Sequence, residues 1–217
     1  MALAIGNKTA DLATPSATTR TFSHNMSTGT NGYLFVVIAM SDTATISSVT
    51  YAGTAMTLSS VVVTTGTNTR WAIYYLASPA TGVNNVVETF SVAQYNPVST
   101  FVFSATGCNG VGDIVSDDTS TSPNSTTISI SANSMIFGAL VAGNNVGHAI
   151  TLDGSSRSLE YTSAINNYTS GAFSATGLTS GVKNVSVAAG ANLAGFYFEI
   201  KEFASASNTN GGMLLVF

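Results

Sequence analysis

Apolar residues in this chain come in short runs or in strict alternation with polar ones, and both patterns predict β-strands. Tyr33–Met40 is apolar on both faces and predicts a central strand, as does Trp71-Ala72-Ile73-Tyr74-Tyr75-Leu76. Ser125–Ser131 alternates, with Ile128 and Ile130 inward and the hydroxyls outward. Phe196, Phe198 and Ile200 share one face of a half-buried strand, and Tyr197, Glu199 and Lys201 share the other. Between Thr18 and Phe203 such signals recur about every ten residues, the rhythm of a sandwich or barrel. No segment of about a dozen residues carries apolar positions at helical spacing. Gly closes Ala52-Gly53, Ala80-Thr81-Gly82, Asn109-Gly110 and Asp153-Gly154, where tight turns call for positive φ.

The strand pattern occurs twice, about a hundred residues apart. Asn31–Ala39 matches Asn133–Val141, and Val49-Thr50-Tyr51-Ala52-Gly53 matches Ile150-Thr151-Leu152-Asp153-Gly154. Thr81–Val87 matches Thr179–Val185, and Thr100–Phe103 matches Gly195–Phe198. The expected fold is all-β: a jelly-roll-like or Ig-like β-sandwich over residues 15–203, with pseudo-repeats at about 30–105 and 131–203. Each repeat could form its own small sandwich, or the two could interleave their strands in one. The single interleaved sandwich is favoured, because Ser104–Pro123 reads as a polar loop too short for a linker. Residues 1–14 read as an N-terminal arm, and residues 204–217 as a Gly/Ser/Asn tether with an apolar end.

Composition narrows the function. Only 7% of residues are charged, against roughly a quarter in ordinary soluble domains, while 45% are hydrophobic. Ser, Thr, Asn and Gly fill the surface positions. Neutral polar groups are cheaper to desolvate than charges, which suits a protein packed among copies or partners; high salt or secretion would suit the same skin. No apolar stretch approaches the roughly 20 residues of a membrane-spanning helix. A net charge of -4 with six Lys and Arg argues against nucleic acid, which demands concentrated cations. The sequence opens without a basic, then long apolar, secretory pattern, and its single cysteine, Cys108, excludes an intrachain disulfide framework and reads as a buried apolar residue.

Candidate chemistry is sparse. There is no Gly-x-Ser-x-Gly, and His24 and His148 read as hydrogen-bonding residues at sheet edges or subunit contacts. Asp113, Asp117 and Asp118 form the one acidic cluster, open to two readings: a calcium-holding loop or a solvated turn. Glu88, Glu160, Glu199 and Glu202 are the remaining carboxylates of interest, Glu199 and Glu202 on the surface of the last strand. Trp71 reads as core, whereas Tyr51, Tyr95, Tyr161 and Tyr168 sit at strand ends where a ring could face outward and stack on a glycan. No cofactor and no enzymatic activity are expected. Leu3 and Ile5 at one end and Met213, Leu214, Leu215, Val216 and Phe217 at the other are candidate anchors. The C-terminal five either fold back as an edge strand or add to a neighbour's sheet.

One stretch carries a resemblance. Val49-Thr50-Tyr51-Ala52-Gly53-Thr54-Ala55-Met56-Thr57-Leu58, then Arg70–Gly82 with Trp71, Tyr75-Leu76, Pro79 and Gly82, then Asn85–Ser91, resembles the "VTYGG…WYLxxPxxG…VxVxxS" pattern of a β-sandwich family of tailed-phage virion proteins and bacterial surface proteins. The resemblance covers residues 30 to 105 closely and implies a non-enzymatic structural or adhesive module. With the neutral skin and apolar tail it leads to an expectation: a capsid decoration (cement) protein on a virion surface. Such a protein would be a homo-oligomer, a trimer above all, bound to the major capsid protein. The alternative is a tail-fibre, receptor-binding or carbohydrate-binding module.

Overall fold

The computed structural model describes residues 2–14, 16–26, 32–41, 43–94, 96–119, 124–143, 147–165, 168–188 and 193–202. The first half of the chain forms β1 (Ala4–Ala13), β2 (Thr19–Met26), β3 (Tyr33–Ser41), β4 (Ile46–Tyr51), β5 (Thr54–Ala55), β6 (Thr57–Thr64), β7 (Thr69–Ala77), β8 (Gly82–Phe90) and β9 (Val98–Thr106). The second forms β10 (Cys108–Thr119), β11 (Asn124–Ile130), β12 (Met135–Gly143), β13 (Ala149–Leu152), β14 (Ser155–Arg157), β15 (Tyr161–Ile165), β16 (Tyr168–Ala175), β17 (Gly181–Ala188) and β18 (Leu193–Glu202). No helix occurs among the described residues. The all-β sandwich expected from the alternation is what the chain forms.

The halves do not interleave. The first builds an inner sheet, β1-β9-β3-β7-β6, and an outer sheet, β2-β8-β4-β5. The second builds β10-β18-β12-β16-β15 and β11-β17-β13-β14. Adding nine to each strand number of the first pair of sheets gives the second pair, so the repeat is complete in topology. Each half is its own small sandwich, and the two inner sheets stack face to face. The preference for one interleaved sandwich is therefore corrected. Short connections keep each strand beside partners from its own half, and the halves meet through side chains instead of ladders.

This layering explains the apolar runs. In β3, Phe35, Val37 and Ala39 enter the core between the inner sheets, while Leu34, Val36, Ile38 and Met40 enter the core of the first sandwich. In β12, Met135, Phe137 and Ala139 enter the shared core, and Ile136, Leu140 and Ala142 the core of the second sandwich. A strand between two cores has no solvent face and loses its polar alternation. The outer strand β11 keeps it, with Ile128 and Ile130 buried and Ser125, Thr127 and Ser129 exposed.

Aromatic rings fill the shared core. Phe103 stacks on Phe137 with centroids 4.2 Å apart, and Trp71 on Phe196 at 5.5 Å. Each such side chain contributes about 1.5–3 kcal/mol on full burial, so the halves are joined as firmly as a domain core. The stack is isologous: β1 lies against β15, and its counterpart β10 against β6, the counterpart of β15. The Phe103–Phe137 contact likewise has its mate in Phe198–Phe35. A pseudo-two-fold axis thus runs along the strands between the inner sheets.

Two segments differ from the sequence reading, and they are equivalent. Residues 1–14 are no free arm: β1 pairs with β9, Ile5 opposite Ala105, and Leu3 and Ile5 lie half-buried against the shared core. The loop expected over Ser104–Pro123 is largely strand: β9 runs through Ser104 to Thr106, Gly107 turns at φ 69°, and β10 follows, paired with β18. Both β1 and β10 are edge strands with interrupted register, which blurs alternation. The hairpin turns are as expected: Ala52-Gly53 and Asp153-Gly154 both have positive φ at their two residues, the geometry of a type I′ turn.

Candidate functional site

The buried charged side chains of the first sandwich, Arg20 and Glu88, are committed to its own interior. Arg20 on β2, 6% exposed, points inward. Its Nε and Nη2 both reach Asp11 Oδ2, at 2.9 and 2.7 Å. Nη1 donates to the Val98 carbonyl and to Thr100 Oγ1, both at 3.2 Å, and lies 3.5 Å from Glu88 Oε2. Thr100 Oγ1 donates to Glu88 Oε1 at 2.6 Å. Glu88 has no solvent exposure. Burial raises its carboxyl above the ordinary range; Arg20 and the Thr100 hydroxyl oppose that, and Asp11 reinforces it. With two carboxylates around one guanidinium, and the closer contact taken by Asp11, Glu88 is the one left holding its proton more tightly.

His24 lies four residues further along the same face of β2, 1% exposed, with Nδ1 2.9 Å from Thr9 Oγ1 and its ring edge-on to Tyr51. Burial lowers its pKa to about 4. It hydrogen-bonds on the edge strand of its sheet, as expected, but is buried there. Tyr51, one of the rings that could have faced outward, is fully buried, its hydroxyl donating to the Gly82 carbonyl at 3.1 Å. The second repeat has none of this chemistry. Strand register places Asn124, Val187 and Gly195 where the first has Arg20, Glu88 and Thr100, and Ile128 where it has His24.

The other candidates are likewise structural. Glu199, expected on the surface, is 2% exposed. Burial works against its charge, but the Ser131 N–H at 2.6 Å, the Ser134 and Ser131 hydroxyls and the Asp113 N–H at 3.3 Å outweigh it and bring the carboxyl below its ordinary value. The strand is inner, so its second face is covered too, and Gly112 leaves the space a Cβ would take from the Glu199 carboxylate. Glu202 ends β18 half-buried, opposite Cys108. Glu160 forms an ion pair with Lys8 at 2.7 Å, tying β1 to the start of β15 across the two sandwiches.

Asp113, Asp117 and Asp118 lie on β10 and not in a loop. Asp113 accepts from the Ser129 N–H at 2.9 Å and its neighbour's N–H at 3.1 Å. No cluster of three or more His, Cys, Asp or Glu suited to a metal ion occurs among the described residues. Cys108 is buried, its thiol pushed up to about 12 by that burial. His148 is half-buried, and burial lowers its pKa. Trp71 is core, as expected. Tyr161 is half-buried against Phe101, Tyr168 is 46% exposed, and Tyr95 lies outside the described residues.

What is left open is a sheet edge. β6 ends the inner sheet of the first sandwich, paired on one side only, with β7. Its Val62 packs into the shared core, whereas Leu58, Val61 and Val63 are 47%, 42% and 40% exposed. Its counterpart β15 carries Thr162, Ser163 and Ala164 in its middle. An apolar, unpaired edge is a template for another strand, and the sequence showed no more of this than a Val-rich run. Met213–Phe217, the other candidate contact, lies outside the described residues. No protein-family model matches the chain, and no curated protein sequence is significantly similar to it.

Proposed function

We propose that this chain is a structural protein of a virus particle, a capsid decoration protein that seats on the shell and stabilises it. The observation that carries the reading is the β6 edge, with Leu58, Val61 and Val63 exposed beside an unpaired ladder. The resemblance of Val49–Ser91 to virion β-sandwiches agrees with it, as does the commitment of the buried charges to internal structure. Strand addition at this edge, by a neighbouring copy or by the major capsid protein, would supply main-chain hydrogen bonds and an apolar contact. Several weak contacts per copy become high avidity once copies assemble, with a trimer the favoured state. The apolar C-terminal residues Met213–Phe217 are the proposed strand donor.

Native mass spectrometry of the full chain and of chains lacking residues 205–217 or carrying Val61→Lys tests this. So does co-sedimentation with shells of the particle it came from. Oligomers and shell binding in the full chain, weakened in both variants, are expected. A monomer that stays in the supernatant overturns the reading.

A further inference from the structure

Where the pseudo-two-fold axis leaves the molecule, at the C-terminal ends of β3 and β12, a cavity of about 120 Å³ opens between the sandwiches. Its walls hold equivalent residues from both repeats: Ala39 with Val141, and Thr69 with Tyr168. The remaining described lining comes from the end of β3, the β6–β7 turn and the start of β9 with the residues before it, including Asn68, Asn96 and Ser99.

The chemistry of this cavity is selective. Among the described residues that line it there is no Lys, Arg, Asp or Glu, so these offer nothing to a phosphate, a carboxylate or a cation. Its rim carries hydroxyls and two amides, and Asn68 and Asn96 are exposed. A carboxamide both donates and accepts, as paired hydroxyls require. Tyr168 is among the lining residues, 46% exposed where most aromatic residues are buried. An aromatic face beside neutral donors and acceptors is suited to a pyranose, whose C–H face is apolar and whose edge is hydroxylated. The volume approaches that of the ~150 Å³ engineered cavity that takes a benzene ring.

We propose that this cavity binds a neutral saccharide, with the Tyr168 ring stacking on the sugar face and Asn68 and Asn96 hydrogen-bonding its hydroxyls. The site needs both repeats, and it exists because they have diverged: Tyr168 stands where the first repeat has Thr69. It is independent of the β6 edge.

Saturation-transfer NMR of the full chain with the methyl glycosides of glucose, galactose, mannose and N-acetylglucosamine tests it, with glucuronate alongside. Transfer to at least one neutral glycoside is expected, about tenfold weaker in Tyr168→Ala and retained in Tyr168→Phe, with the thermal midpoint unchanged. If Tyr168→Ala melts early, Asn96→Ala decides: weakened transfer supports the site, and unchanged transfer overturns it. No transfer to any neutral glycoside, transfer indifferent to Tyr168→Ala in a folded variant, or transfer to glucuronate alone also overturns it. No capsid enters the assay, so its outcome stands apart from the assembly reading.

Discussion

Replacing Arg20 by Met is the sharpest test of how the first sandwich is held. The guanidinium is 6% exposed and makes five contacts of 3.5 Å or less, to Asp11, Val98, Thr100 and Glu88. Removing it leaves Glu88 buried without its cation, and breaking one side of a buried pair costs about 3–5 kcal/mol. Against a typical domain stability of roughly 5–15 kcal/mol, that is a large fraction. Replacing both partners, as Arg20→Met with Glu88→Leu, removes the stranded charge; Asp11, at the edge, returns to water. The double variant is expected to be more stable than Arg20→Met alone, with a coupling within the 0.5–3 kcal/mol usual for contacting residues. Urea unfolding followed by the emission of Trp71, the only tryptophan and fully buried against Phe196, measures each term. The pH dependence adds a check. Glu88 holds its proton more tightly when folded, so it favours the native state in acid, and that support is lost as pH rises through its folded pKa. Glu88→Gln should flatten this contribution. Additive losses in the double variant, or a cost below about 1 kcal/mol for Arg20→Met, would refute the reasoning.

Two further outcomes follow from the same packing. His24 is neutral when folded, its pKa lowered from 6.5 to about 4; the unfolded chain takes up its proton first, so stability should fall as pH drops from about 6.5 to about 4. His24→Ile, which copies Ile128 of the second repeat, should make that acid limb shallower in a plot of thermal midpoint against pH, leaving the part that His148 contributes. At Gly138 an added Cβ would run into the fully buried Phe173 ring, so Gly138→Ala should cost about 1–3 kcal/mol by overpacking. An unchanged denaturation midpoint would show that the ring can move.

The alternation of apolar and polar residues carried the fold class and most strands, because burial of one face is written residue by residue. It could not say which sheet a strand joins. Tyr33–Met40 is apolar on both faces whether it lies in an interleaved sandwich or between two stacked ones, so the four-layer arrangement was invisible. β1 and β10 were missed for a related reason: Asp113 and Asp117 on an edge strand with shifted register look like loop residues. Arg20, His24 and Glu88 occupy inward positions of β2 and β8, yet a charge at an alternating position reads as solvent-facing until its partners are known. Tyr168 was legible as a ring at a strand end. Its companions at residues 39–41, 67–69 and 96–99 converge only through the fold.

Gly107 alone separates β9 from β10, and that brevity has a kinetic meaning. Domains tend to fold as units in the order of synthesis, so the earlier half can close while its aromatic flank, with Phe35, Trp71, Phe101 and Phe103, awaits a cover. A flank of that kind is an invitation to clumping. With so short a leash the local concentration of the rightful cover is far above that of any stranger, so docking within one molecule outruns collision between two. Lengthening the leash would hand that advantage back to the crowd.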